Sequence, residues 1–321
     1  MSERAISFHD LSEILKRNKF SLDNGIAVEN FQSLIGPYHF PEEEAYCQVD
    51  RHGSRCKHRH HYGWLGRRND GEEALIGRDC AIKYFNANTE FTMERKRVDQ
   101  EVRIDSHVKA LTELLQDKAA LMNRVGMVLE RVKSVRGRVR AVQDILTIDA
   151  KRRLNDMAKT GNRNVFVETR HVEKNEEGKE IIVWRQHGIG AIQGIIVWDG
   201  SVISEIYATL DSIKDTIEKA RICDEEKEKN LQNWRETLEK LPRIEVSIAA
   251  LEKGTVDFFT PDNATLLGLL GRAQTNRVKL CEIVLKANGM PNPSSKNINM
   301  LVEEMNERAK QLTGGKEYRG V

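Results

Sequence analysis

Three of the five cysteines in this 321-residue chain, Cys47, Cys56 and Cys80, fall within one stretch, Tyr46 to Phe85, YCQVDRHGSRCKHRHHYGWLGRRNDGEEALIGRDCAIKYF. Four of the nine histidines, His52, His58, His60 and His61, lie in it too. Thiolates and imidazoles are the donors that Zn2+ prefers, and a structural zinc takes four of them in a tetrahedron. Cys47, Cys56 and Cys80 supply three, and His61 is expected as the fourth, with His58 or His60 as alternatives. His52 and the histidines left over have no assigned role. Cysteines clustered with histidines point to a metal and a reducing, cytoplasmic compartment rather than to disulfides. Three thiolates absorb much of the cation's charge and leave it a weak Lewis acid, so the expected zinc is structural and no catalytic residue is assigned. A zinc-dependent hydrolase ranks third among the functional readings. Glu72 and Glu73 could then serve as a base, although glutamates in a polar turn are more often solvated.

The second half of the stretch, ALIGRDCAIK over residues 74–83, reads as a short strand, a glycine turn at Gly77 and a cysteine at the start of a helix. It resembles the treble-clef-type zinc fingers, over about forty of the 321 residues. That resemblance implies a structural zinc and a helix N-terminus that helps to stabilise a thiolate. The usual tight cysteine pairs are not present: eight residues separate Cys47 from Cys56, and no cysteine follows Cys80 at the third position.

Around these donors runs a basic cluster: Arg51, Arg55, Lys57, Arg59, Arg67, Arg68, Arg78 and Lys83, with no acid between Asp50 and Asp70. Tyr62 and Trp64 sit inside it. Cations with interleaved aromatics suit phosphate contacts and base stacking. Arg51, Arg55, Lys57, Arg59, Trp64, Arg67, Arg68 and Arg78 are therefore the expected nucleic-acid contacts. The bland reading of the same residues is a solvated rim with Trp64 packed beneath the finger.

The remaining elements must position this module. Before it, Ser7 or Asp10 could cap a helix carrying Leu11, Ile14 and Leu15, and a second short helix would hold Ile26, Val28, Phe31 and Leu34, ended by Gly36 and Pro37. After it, apolar residues recur in steps of three and four from Val98 to Leu146. That spacing predicts one helix over about 95–158, roughly 95 Å long at 1.5 Å per residue, with Lys118, Arg136 and Gln143 interrupting a strict heptad. Period two then takes over, predicting antiparallel strands near 164–173, 179–187 and 191–198. Helical spacing resumes from Ile203 to Leu241, with Pro242 a kink or an end. Thr260-Pro261-Asp262 signals another helix start, Asn297 or Asn299 caps a last helix through Met305, and the tail TGGKEYRGV reads as disordered.

The expected fold is mainly α. A zinc-binding module (1–92) precedes a long antiparallel, coiled-coil-like helical hairpin formed by a first helix (93–161) and a return helix (201–253). A three-stranded β sheet (162–200) sits at the hairpin's tip, and a C-terminal helical segment (254–321) ends the chain. The basic run Arg131, Lys133, Arg136, Arg138, Arg140 and Lys151–Arg153 would mostly be solvated or paired with the return helix. Cys223 and Cys281, alone on apolar patterns, are expected to be buried.

Composition bounds the rest. Charged residues make up 31% and aromatics 6%, which suits helices, while a net charge of +2 exerts no whole-molecule pull on nucleic acid, so any such attraction must be local. No apolar run is long enough to span a membrane and the N-terminus lacks a signal-peptide pattern. The favoured function is a zinc-containing, non-catalytic nucleic-acid-binding accessory protein with a coiled-coil arm for assembly. The alternative is a structural protein whose helical hairpin binds other proteins or itself.

Overall fold

Asp10 starts the first helix as expected: its carboxylate accepts the backbone N–H of Ser12 at 2.7 Å, opening α1 (Leu11–Leu15). The computed structural model of the protein describes residues 4–51, 53–223, 226–270 and 276–320, so His52 lies outside the described residues. The chain divides into two units, residues 1–116 with 220–236, and residues 117–219 with 237–321.

In the first unit the expected second helix is replaced by a strand. Val28–Asn30 makes a single 3-10 turn, and β1 (Phe31–His39) then runs straight through Gly36 and Pro37. Two small antiparallel ladders follow: β2 (Ala45–Tyr46) with β5 (Arg59–His60), and β3 (Asp50–Arg51) with β4 (Ser54–Arg55). The chain returns as β6 (Tyr62–Arg68) and β7 (Glu73–Gly77), giving an antiparallel sheet of order β1-β6-β7. At the end of that order β1 accommodates Pro37, because an edge position does not need its missing N–H for the ladder. The helical spacing of Ile26, Val28, Phe31 and Leu34 was coincidental. Phe31, Leu34, Ile35 and Tyr38 are buried along a bulged strand.

Gly77 caps α2 (Arg78–Cys80), which continues as a π-turn over Ala81–Phe85. Asn88 then caps α3 (Thr89–Leu114), its side chain accepting the Phe91 N–H at 2.9 Å. Phe31, Phe85 and Phe91 meet with ring centroids 5.0–6.0 Å apart. Arg97 of α3 donates to the carbonyl of Leu34 at 2.9 Å, while Glu94 accepts the Leu34 N–H at 3.0 Å, so α3 is latched to β1.

The second unit corrects the expected architecture. The single long helix is three: α3 ends at Leu114, α4 covers Lys118–Ile145 and α5 covers Ile148–Thr160. The breaks fall where Asp117 and Thr147 cap the next helix by accepting the N–H of Ala120 and Ala150. The hairpin strands are found, as β8 (Asn164–Lys174) and β9 (Glu180–Ala191). The third expected strand is instead a 3-10 turn over Ile195–Trp198, with Ile195, Val197 and Trp198 buried. Gly194 explains the change. It has φ +65°, and a Cβ there would lie 2.1 Å from the carbonyl oxygen of Gly254, so the chain turns sharply and packs tightly at this point.

The return helix is likewise divided into α6 (Gly200–Lys219), α7 (Glu228–Leu238) and α8 (Leu241–Phe258), with Pro242 in the first turn of α8. The expected antiparallel hairpin with a sheet at its tip is not formed. Arg124 of α4 pairs with Glu245 of α8 at 2.5 Å and Arg131 with Glu252 at 2.6 Å. Both pairs have the same sequence offset, so α4 and α8 run parallel, whereas a hairpin would pair them antiparallel.

Three helices follow: α9 (Pro261–Leu269) capped by Thr260, α10 (Arg277–Ala287), and α11 (Ser295–Leu312), capped by Ser294 rather than by Asn297 or Asn299. The tail expected to be disordered forms β10 (Tyr318–Gly320), which pairs with β8 as the third strand of the sheet β10-β8-β9. The core of this unit gathers Val142, Leu154, Val167, Trp198, Phe258, Leu267 and Leu280. Cys281 is buried there, but Cys223 is exposed. Among the described residues no helix is long and apolar enough to cross a membrane.

Asn263 ties this core together. It is 1% exposed, its Nδ2 donates to the carbonyls of Gln193, Asp257 and Phe258 at 2.9–3.1 Å, and its Oδ1 accepts the Gln193 N–H at 3.0 Å. Asn263→Ala strands buried peptide groups that each cost about 1–3 kcal/mol when unpaired. The expected loss, read from denaturant unfolding, is about 2–4 kcal/mol in total. A variant as stable as the parent would show that water replaces these bonds.

Candidate metal centre

The ladders deliver the three cysteines to one point. Cys47 follows β2, Cys56 follows β4 and Cys80 ends α2. Their Sγ atoms lie within 4.8 Å of one another and all three residues are buried. Cys56 and Cys80 lie 3.5 Å apart. That is too long for a disulfide of about 2.05 Å. It is close to the S···S separation of about 3.8 Å set by tetrahedral zinc–sulfur bonds of about 2.3 Å. The donor set therefore fits a metal ion, and the cluster could hold one.

The surroundings favour sulfur that carries negative charge. The backbone N–H groups of Val49 and Gly77 are aimed at the Cys47 sulfur. Arg51 Nη2 donates to Cys56 Sγ at 2.6 Å and to Cys80 Sγ at 2.8 Å, and its guanidinium stacks over Tyr84 at 4.7 Å. Burial works in the other direction. It pushes the Cys47 thiol up to about 12 and raises that of Cys80, where Arg51 partly offsets it. A bound cation would favour deprotonation of these thiols, with release of protons.

No described histidine belongs to the group. His61 is turned to the main chain: its Nδ1 donates to the carbonyls of Phe40 at 2.7 Å and Glu43 at 2.9 Å, and its Nε2 lies 3.6 Å from Glu44. His60 is held by the hydroxyl of Tyr38, 2.8 Å from its Nδ1, and burial depresses its pKa to about 4. Its ring packs so closely on Gly77 that a Cβ there would lie 2.4 Å from His60 Cδ2. His58 is exposed, and its carbonyl accepts the Cys47 N–H at 2.8 Å. Its side chain lines a cavity of about 380 Å3 that Cys80 also lines.

The basic residues are placed in three ways. Arg51 is held by the sulfurs. Arg55, Arg67 and Arg68 brace neighbouring chain segments. Arg55 donates to the carbonyls of Leu22 and Asp23 at 3.1 and 2.6 Å, Arg67 lies 3.4 Å from Glu73, and Arg68 reaches the Gly25 carbonyl at 3.1 Å and Asp70 at 2.5 Å. Arg59, Arg78 and Lys83 line the cavity beside Cys80, together with Arg51, Tyr62 and Tyr84, and Asp79 is the one carboxylate in its wall among the described residues. Arg59 also rests on Tyr46, donating to its hydroxyl at 2.6 Å and stacking at 4.9 Å. Lys57 is exposed, and Trp64 is half-buried, edge-on to Phe91 at 6.2 Å. Tyr84 was missed as a site residue, and Lys83 was noted only as part of the basic cluster. Both lie within four positions of Cys80, one helical turn, which was the available signal.

Glu73 is not the solvated turn glutamate expected from its neighbours. It is 1% exposed and accepts from Arg17 Nε at 2.6 Å and Nη2 at 2.9 Å. Comparisons with protein-family models, with curated proteins and with solved structures find no match for the chain.

Proposed function

We propose that the N-terminal unit is a zinc-stabilised module of the treble-clef type that grips the phosphate backbone of a nucleic acid. The observation that carries this reading is the meeting of Arg59, Arg78 and Lys83 with Tyr62 and Tyr84 on one cavity beside Cys80. Cationic groups on a rigid wall attract phosphate, and nearby rings offer stacking surfaces. The zinc is structural. It joins Cys47, Cys56 and Cys80 and so holds the cavity wall in shape. His58 is the best-placed fourth ligand: it lines the cavity with Cys80, as His60 does, but His60 is held by the Tyr38 hydroxyl and His61 by the Phe40 carbonyl.

Phosphate binding predicts a salt-dependent affinity. The triple variant Arg59→Gln, Arg78→Gln, Lys83→Gln is expected to flatten the slope of log affinity against log salt by about 2–3, at about 0.7–0.9 for each phosphate no longer neutralised. Affinity for a mixed-sequence oligonucleotide at low salt should fall by roughly 100-fold. Filter binding or fluorescence anisotropy across a salt series reads both quantities, with zinc content as the control for an intact module. Binding and slope unchanged in a zinc-loaded variant would overturn the proposal.

A further inference from the structure

We infer that the module recognises single strands by taking one unstacked base into an aromatic cavity that adjoins the cationic one. This rests on the nucleic-acid reading above. A second cavity, of about 310 Å3, shares Tyr62 and Arg78 with the first and is otherwise walled largely by rings, among them Phe8, Tyr38, His39 and Trp64. Its volume is at the lower end of the range for small-ligand pockets, about 300–1,000 Å3. Tyr62 is 50% exposed, and His39 already lies parallel on it, with centroids 4.3 Å apart and planes 18° from parallel. A planar base would extend the same stack. Trp64 adds an indole ring to the same wall. Arg78, common to both walls, would sit between the phosphate and its base. A duplex keeps its bases stacked inward and cannot offer one without unpairing it, so the arrangement selects single strands.

The test compares three probes on the full chain at fixed salt: a 12-nucleotide single strand, the same strand made abasic, and its blunt duplex. The base-bearing strand is expected to bind roughly tenfold more tightly than the abasic one, as one stacked base is worth, and more tightly than the duplex. Tyr62→Ala should erase that difference. Tyr62 is an exposed side chain, so the variant should fold. An independent readout needs no change at Tyr62. The base-bearing strand should quench tryptophan fluorescence where the abasic strand does not, and Trp64→Phe should remove the effect. Equal affinity for base-bearing and abasic strands would overturn this inference while leaving salt-dependent phosphate binding in place. Binding to none of the three probes would overturn the phosphate reading and this inference with it.

Discussion

Cys80→Ala is expected to purify without stoichiometric metal and with its N-terminal unit unfolded or melting far below the parent. Structural zinc contributes about 10–16 kcal/mol of apparent binding free energy in small zinc modules. A folded domain is stable by only about 5–15 kcal/mol in total. Here the three sulfurs are also members of the core that contains Phe31, Phe85 and Phe91, so a metal missing from them is missing from the packing of that unit. Without a cation the same sulfurs are buried polar groups, and the charge of Arg51, which donates to two of them, is left without a counter-charge. A chelator applied to the parent protein should reproduce the effect, and added Zn2+ should reverse it. Elemental analysis and thermal melts check both. Full metal content in Cys80→Ala, or a melting temperature indifferent to chelator, would remove the metal centre from this account.

Glu73→Ala comes second in size. The carboxylate is 1% exposed and faces two guanidinium groups, Arg17 at 2.6 Å and Arg67 at 3.4 Å. Arg17 also lies over the ring of Phe8 at 5.7 Å, so it is packed as well as paired. Removing one member of a buried ion pair leaves the other charge uncompensated, at a cost of about 3–5 kcal/mol. Glu73→Gln keeps shape and part of the hydrogen bonding, and should cost less. The double variant Arg17→Met, Glu73→Leu should recover much of the loss, because it removes both charges together. Denaturant midpoints at unchanged slope measure all three. A Glu73→Ala effect within about 0.5 kcal/mol, as for an ordinary surface change, would contradict this role.

Some features were legible because they are local. Asp10 and Thr260 start helices through bonds to N–H groups two or three residues away, and the alternation from Asn164 to Lys174 marks a strand without reference to anything distant. Asp117 and Thr147 carry the same kind of signal. The apolar spacing from Val98 to Leu146 concealed them, because periodicity continues across a break that only a cap reveals. The basic cluster was legible as composition but not as a surface. Arg55 meets the Leu22 carbonyl 33 residues away, and Arg67 meets a Glu73 that seemed to belong to a turn.

The sequence by itself singled out the three cysteines that come together. Cysteine is rare in this chain, its chemistry is specific, and Cys47, Cys56 and Cys80 are joined by ladders two residues long whose closing segments lie close in sequence. Tertiary structure decided where the histidines go, and no described one joins the three sulfurs. His60 and His61 are consecutive on an extended chain, so their rings leave it on opposite sides, and the Tyr38 hydroxyl and the Phe40 carbonyl, about twenty positions earlier, take one each. It also decided the architecture. The parallel course of α4 and α8, and the pairing of Tyr318 with Thr169, join segments more than a hundred residues apart. Such contacts depend on which buried faces match once the chain has folded, and no local periodicity encodes that choice.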